Sequence, residues 1–172
     1  RLEEIREKFP LLADKSIHWH MIGHIQSRKV KDIPAYFSTI HSIDSLRLAQ
    51  KLADTIAKTD QAPVDVLIQI NISGEESKSG LFAVDWMNNA DVRRELWNNI
   101  RQICVLPHIQ VIGLMTMAFI VDNPDDTRPV FAGLRQLRDA LTDDLHIILP
   151  HLSMGMTDDF MVAIEEGATM VR

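Results

Sequence analysis

Short β-branched or apolar runs alternate along this chain with longer stretches whose apolar residues recur every three to four positions, and no other feature narrows the fold as much. Each strand followed by a helical crossover gives a parallel sheet wrapped by helices. Leu2 to Phe9 places Leu2, Ile5 and Phe9 on one helix face and ends before Pro10. Ile17 to Ile22 predicts a strand ending at Gly23, and Gln26 to Ile33 a short helix closed by Pro34. Thr39 to Ile43 predicts the next strand, after which Asp44 or Ser45 caps a helix through Leu46, Ala49, Leu52 and Ile56. Val64 to Ile72 is apolar enough for a strand covered by helices, and Ser73 to Gly80 is a polar loop. Ala83 to Ile103 predicts a helix, Ile109 to Met115 a strand, Asp122 to Arg128 a connecting loop, and Val130 to Leu141 another helix. His146 to Leu152 leads into Ser153 to Thr157, then a helix from Asp158 to Glu166 stops at Gly167, and Ala168 to Val171 forms a further strand.

Five or six such units in sequence point to a (β/α) barrel of the TIM type rather than an open sheet. Whole barrels run to about 250 residues, whereas this chain has 172. It therefore reads as an incomplete barrel. With no internal repeat and no Gly/Pro/Ser linker, residues 1–172 are expected to form one domain.

Apolar residues make up 46% and charged residues 24%, which suits a globular chain rather than a disordered one. A net charge of −6 with no run of five or six Lys or Arg offers no footprint for nucleic acid. The longest apolar stretch, Val111 to Val121, is about half the ~20 residues of a membrane-spanning helix, and the opening Arg-Leu-Glu-Glu lacks a signal-peptide pattern. One cysteine, Cys104, permits no internal disulfide, so a reducing cytoplasm is expected. Its neighbours Ile103, Val105 and Leu106 suggest a buried, inert thiol.

Leu152 to Asp159 places a hydroxyl, a glycine and free N–H groups between a strand and a helix start, an arrangement suited to an anion. The same residues also read as an ordinary cap, with Ser153 in the turn and Thr157 or Asp158 capping. His18 and His20 share a strand face, and with His24 they could bind zinc or simply pack. Asn71 to Gly80 reads equally as active-site loop or solvated loop, and Met115 as ligand wall or core.

Six ordered blocks carry a more specific signal: His20 to Lys29, His41 to Ser45, Gln69 to Ser73 with Glu76 to Gly80, Gly113 to Met115, Leu152 to Asp159, and Gly167 to Arg172. Together they resemble the YggS/PROSC pyridoxal-phosphate-binding proteins, whose fold is similar to the N-terminal barrel of alanine racemase. The resemblance implies a pyridoxal 5′-phosphate (PLP) site at the C-terminal mouth of the barrel. Ser153, Met154 and Gly155 would hold the phosphate, Arg172 would face the pyridine nitrogen, and Met115 and Asn71 would line the site. A permanent cation beside that nitrogen weakens the ring as an electron sink, which favours cofactor carriage and homeostasis, with PLP-dependent client enzymes as partners, over robust catalysis. The alternative is a racemase-type enzyme, which would need a second base, and the only tyrosine is Tyr36. The resemblance also implies that the family's cofactor-binding lysine lies ahead of Arg1, and that the last barrel unit follows Arg172. No catalytic residue is assigned within the chain.

Overall fold

The computed structural model describes residues 2–12, 15–75 and 78–172. In chain order the elements are α1 (Leu2–Leu11), β1 (His20–Met21), a 3-10 helix (Ser27–Asp32), β2 (Thr39–Ile43), α2 (Leu46–Ile56), β3 (Val64–Asn71) and β4 (Leu81–Phe82). There follow α3 (Ala90–Cys104), β5 (Ile109–Met115), a second 3-10 helix (Pro124–Thr127), α4 (Arg128–Leu145), β6 (His151–Ser153) and α5 (Phe160–Glu165). Every ladder is parallel. The strands lie in the order β1-β2-β3-β5-β6, with β4 beside the end of β3. Sequential parallel neighbours joined by helices make this an open part of a TIM-type barrel.

Strand alternation separates two environments. Ile40, Val66, Ile68, Ile70, Leu114 and Leu152 join the hydrophobic cluster that the helices cover. Those helices contribute Leu52, Ile56, Leu96, Ile100, Phe131 and Leu134. Ladder partners Gln69, Met115 and Ser153 lie on the opposite, concave face, and His20, Thr39 and His41 continue it across β1 and β2. That face is rich in polar side chains which are nonetheless buried: Thr39, His41, Gln69, Asn71 and Ser153. Buried polar groups need partners, so this face has to be hydrogen-bonded internally or to something it holds.

Local chemistry sets the element ends. Ser45 Oγ accepts from Leu48 N at 3.3 Å, so Ser45 rather than Asp44 caps α2. Asn89 Oδ1 accepts from Asp91 N and Val92 N, which starts α3 at Ala90 instead of the expected Ala83. Residues ahead of it instead form β4 and a turn in which Asp85 is left-handed. Helix α1 runs through Pro10 to Leu11, since a proline in a last turn forfeits only one hydrogen bond. Among the described residues the expected strand over Ile17 to Ile22 is paired only at His20 and Met21, where β1 runs beside the start of its single neighbour, β2. Ala168 to Val171 likewise contributes a single bridge, Met170 to Ser153. The expected helices from Gln26 and Asp158 shrink to the first 3-10 helix and the six residues of α5, while that from Val130 lengthens to α4. Strand β3 stops at Asn71, one residue short of the expected Ile72.

Candidate functional site

The C-terminal strand ends converge on Ser153, which lies at the end of β6, opposite Met115 at the end of β5. Ser153 Oγ lies 2.7 Å from His41 Nδ1 and accepts from Arg172 Nη1 at 2.9 Å. His41 Nε2 in turn lies 2.9 Å from His20 Nδ1. Arg172 Nη2 donates to Thr116 O at 3.1 Å, and Thr116 Oγ1 donates to Ile70 O at 2.8 Å. One polar line thus runs His20–His41–Ser153–Arg172–Thr116 across the concave face.

Burial governs its charge. His41 is 2% exposed, and desolvation, followed by the nearby His20, Arg172 and His151, pushes its pKa down to about 4. Desolvation also lowers that of His20, with Asp65 opposing. Burial likewise lowers the Arg172 pKa, Asp159 opposing, yet guanidinium is so basic that Arg172 remains the cation of the line.

His41 therefore contributes to acid sensitivity. Its folded pKa lies below the ordinary 6.5, so the unfolded chain binds the proton first. The stability that neutral His41 supplies is complete above about pH 6.5 and is lost as pH falls to about 4, roughly 3 kcal/mol in all. Urea unfolding across that range should show this loss, and His41→Asn should flatten it. An unchanged slope in the variant would contradict the assignment.

Beside Ser153 the chain turns sharply. Gly155 has φ +92°, and a Cβ there would lie 2.7 Å from Ala163 Cβ and 3.0 Å from Phe160 Cα, so only glycine lets the turn pack on α5. Met154 N donates to Met170 O and Met156 N to Asp159 Oδ1. The N–H groups of Gly155, Thr157 and Asp158 have no acceptor among the described residues. A cavity of about 250 Å³ borders the turn, with Phe119, Ile120 and Met156 on its apolar side and Thr157, Asp158 and Asp159 on its polar side. A half-buried cation and three open N–H donors beside one turn match the needs of a ring bearing a phosphate.

The sequence profile of the alanine racemase N-terminal domain matches residues 2–172. The chain belongs to that family. Among its relatives, the pyridoxal phosphate homeostasis protein of Aquifex aeolicus is 41% identical over 172 residues, covering all of this chain and 71% of that protein. The protein of the same name from Pseudomonas aeruginosa is 37% identical over 171 residues, covering 99% of this chain and 68% of its own. PipY of Synechococcus elongatus, solved with PLP bound, superposes with a TM-score of 0.82 at 30% identity over 100% of this chain and 76% of PipY. Alanine racemase of Clostridium difficile shares the fold, with a TM-score of 0.72 at 16% identity over 97% of this chain and 41% of its own.

Within this alanine racemase-type frame, Ser153, Met154, Gly155, Met115 and Arg172 gather at the strand ends: Met115 pairs with Ser153, and Gly155 O accepts from Arg172 N at 3.0 Å. Ser153, Met154 and Met115 are almost wholly buried. Asn71 has a different engagement. Its Nδ2 donates to Glu75 O and Lys78 O while its Oδ1 accepts from Gly74 N, so its amide secures the loop after β3. Within that loop Lys78 pairs with Glu75 and lies over the Phe119 ring, and Glu76 and Ser77 lie outside the described residues. The three N-terminal histidines part company, His20 going to His41 and His24 Nδ1 lying 3.4 Å from Asp44 Oδ2. Among the described residues no group of three or more His, Cys, Asp or Glu is arranged for a metal ion. Cys104 is a thiol whose pKa burial pushes up to about 11. Sequence reasoning gave His41 and Thr116 no role; the available signal was an imidazole inside a strand with every residue buried.

Proposed function

We propose that this chain binds PLP at the strand C-termini and serves PLP homeostasis by holding the cofactor and releasing it to client enzymes. The observation that carries the reading is the half-buried Arg172 cation beside the Ser153–Thr157 turn with its three open N–H groups. In this reading the turn at Ser153, Met154 and Gly155 takes the phosphate, Arg172 faces the pyridine nitrogen, and Met115 packs under the ring. Asn71 acts by holding the loop that borders the mouth. When bound, the cofactor supplies an aldehyde that condenses with amines and a ring that withdraws electrons.

Arg172 stays charged, and a fixed cation disfavours a proton on the ring nitrogen, which suits retention over carbanion chemistry. A racemase of this type would need a second base, commonly a tyrosine from another domain or subunit; the one tyrosine of this sequence, Tyr36, packs edge-on against Phe9 with ring centroids 5.4 Å apart. It shares a cavity wall with Val64, the first residue of β3, and so sits at the opposite end of the strand from Asn71. No helix among the described residues is long and apolar enough to cross a membrane. Residues 1–172 act here as one cytoplasmic unit.

Titrating the full-length protein with PLP, followed by cofactor absorbance, should saturate at one equivalent. Ser153→Ala removes the acceptor that Arg172 uses and should cost about 1.5 kcal/mol, or roughly tenfold in affinity. An unchanged dissociation constant would leave Ser153 a turn residue only.

A further inference from the structure

We propose that His41 is a positioning residue: as the Nε2–H tautomer its Nδ1 accepts a hydrogen bond from the Ser153 hydroxyl, which fixes the oxygen lone pairs of Ser153 on Arg172 and so aims the guanidinium at the ligand. This rests on the PLP reading above. Two hydrogen arrangements satisfy the heavy-atom distances. In one, Arg172 donates to Ser153, Ser153 donates to His41 Nδ1, and His41 Nε2–H donates to His20 Nδ1. In the other, His20 donates to His41, and both His41 and Arg172 donate to Ser153.

The second arrangement leaves the Ser153 proton without an acceptor. Ser153 is 0% exposed, and among the described residues the only groups within hydrogen-bond distance of its Oγ are His41 Nδ1 and Arg172 Nη1, of which the guanidinium can only donate. An unpaired buried hydroxyl is costly, so the ligand-free protein takes the first arrangement. A protonated His41 would direct an N–H at the Ser153 oxygen that Arg172 already uses, bringing two cations onto one hydroxyl. The groups that face His41 are Arg172, His20 and His151, all cationic or neutral, while Asp65 acts on His20. Every donor in the line then points from Arg172 toward His20, and the guanidinium is held at two acceptors on different strand ends.

Nitrogen NMR of the ligand-free full-length protein at pH 7 is expected to show His41 with Nε2 protonated and Nδ1 bare. A Nδ1–H tautomer or an imidazolium would overturn the proposal. The functional arm compares His41→Asn, whose side-chain oxygen can stand where Nδ1 stands, with His41→Leu, which offers no acceptor. PLP affinity should fall about tenfold in His41→Leu and recover to within about threefold of the parent in His41→Asn. Pyridoxal, which lacks the phosphate, should lose affinity in parallel, because the effect is transmitted through Arg172 to the ring. Equal losses in the two variants, or a loss confined to PLP, would overturn the positioning role. Failure of the parent protein to saturate with PLP would instead sink the underlying reading, while the tautomer measurement would still stand.

Discussion

Arg172→Leu is expected to weaken PLP binding by about 30- to 100-fold. The guanidinium spans two acceptors, Ser153 Oγ at 2.9 Å and Thr116 O at 3.1 Å, and both lose their donor at once. Those two bonds hold the guanidinium in place, and what binding loses with it is the charged-donor hydrogen bond that Arg172 is proposed to give the ring nitrogen, about 2–3 kcal/mol. Arg172→Lys separates charge from geometry: a single ammonium cannot reproduce the planar fork, so it should recover only part of the affinity. Arg172→Glu tests the electronic role. A carboxylate favours a proton on the ring nitrogen, so exchange of an amino acid's α-proton in deuterated water should rise while cofactor remains bound. Retained PLP with no gain in exchange would reduce Arg172 to an anchor.

The largest stability effect is expected at Gly113→Ala. A Cβ there would lie 2.0 Å from His151 O and 2.7 Å from His151 C, backbone atoms of the paired strand. The clash cannot be relieved by a rotamer change and must open the β5–β6 ladder that carries Met115 and Ser153. Overpacking against backbone of this kind costs about 3 kcal/mol or more, which for a chain of this size lowers the melting temperature by roughly 10 °C. Thermal unfolding followed by circular dichroism checks it. A shift within a degree or two of the parent would show that the ladder yields more easily than the geometry states.

What the sequence discloses here follows from how local each determinant is. Strands β2 and β5 begin and end where the runs Thr39 to Ile43 and Ile109 to Met115 do, because β-branched or apolar residues open and close each run. The Ser45 cap is equally legible, its bond reaching only three residues ahead. The edges are not, since Ile17 to Ile22 has the composition of a strand but pairs only where β2 lies alongside. Nor is the start of α3, where Asn89 outcompetes a helical pattern that extends back to Ala83.

At the candidate site, glycine and hydroxyl chemistry make the Ser153–Thr157 turn stand out in the sequence. His41 does not stand out, because its bond to Ser153 spans 112 residues and exists only once β2 and β6 face one another. Asn71 shows the converse limit: its type and position suit a ligand contact, yet both ends of its amide are taken up by the loop it precedes.

The most direct test of the central claim is backbone amide NMR of the full-length protein during titration with PLP. Saturable shifts are predicted at Gly155, Thr157 and Asp158, whose N–H groups are open, and at Arg172, proposed to face the ring, with Thr116, whose carbonyl holds it. No saturable shifts, or shifts confined to the cavity of about 550 Å³ lined by Leu2, Glu3, Met21, Ile25, Lys29 and Ile33 among others, would contradict a PLP site at the strand C-termini.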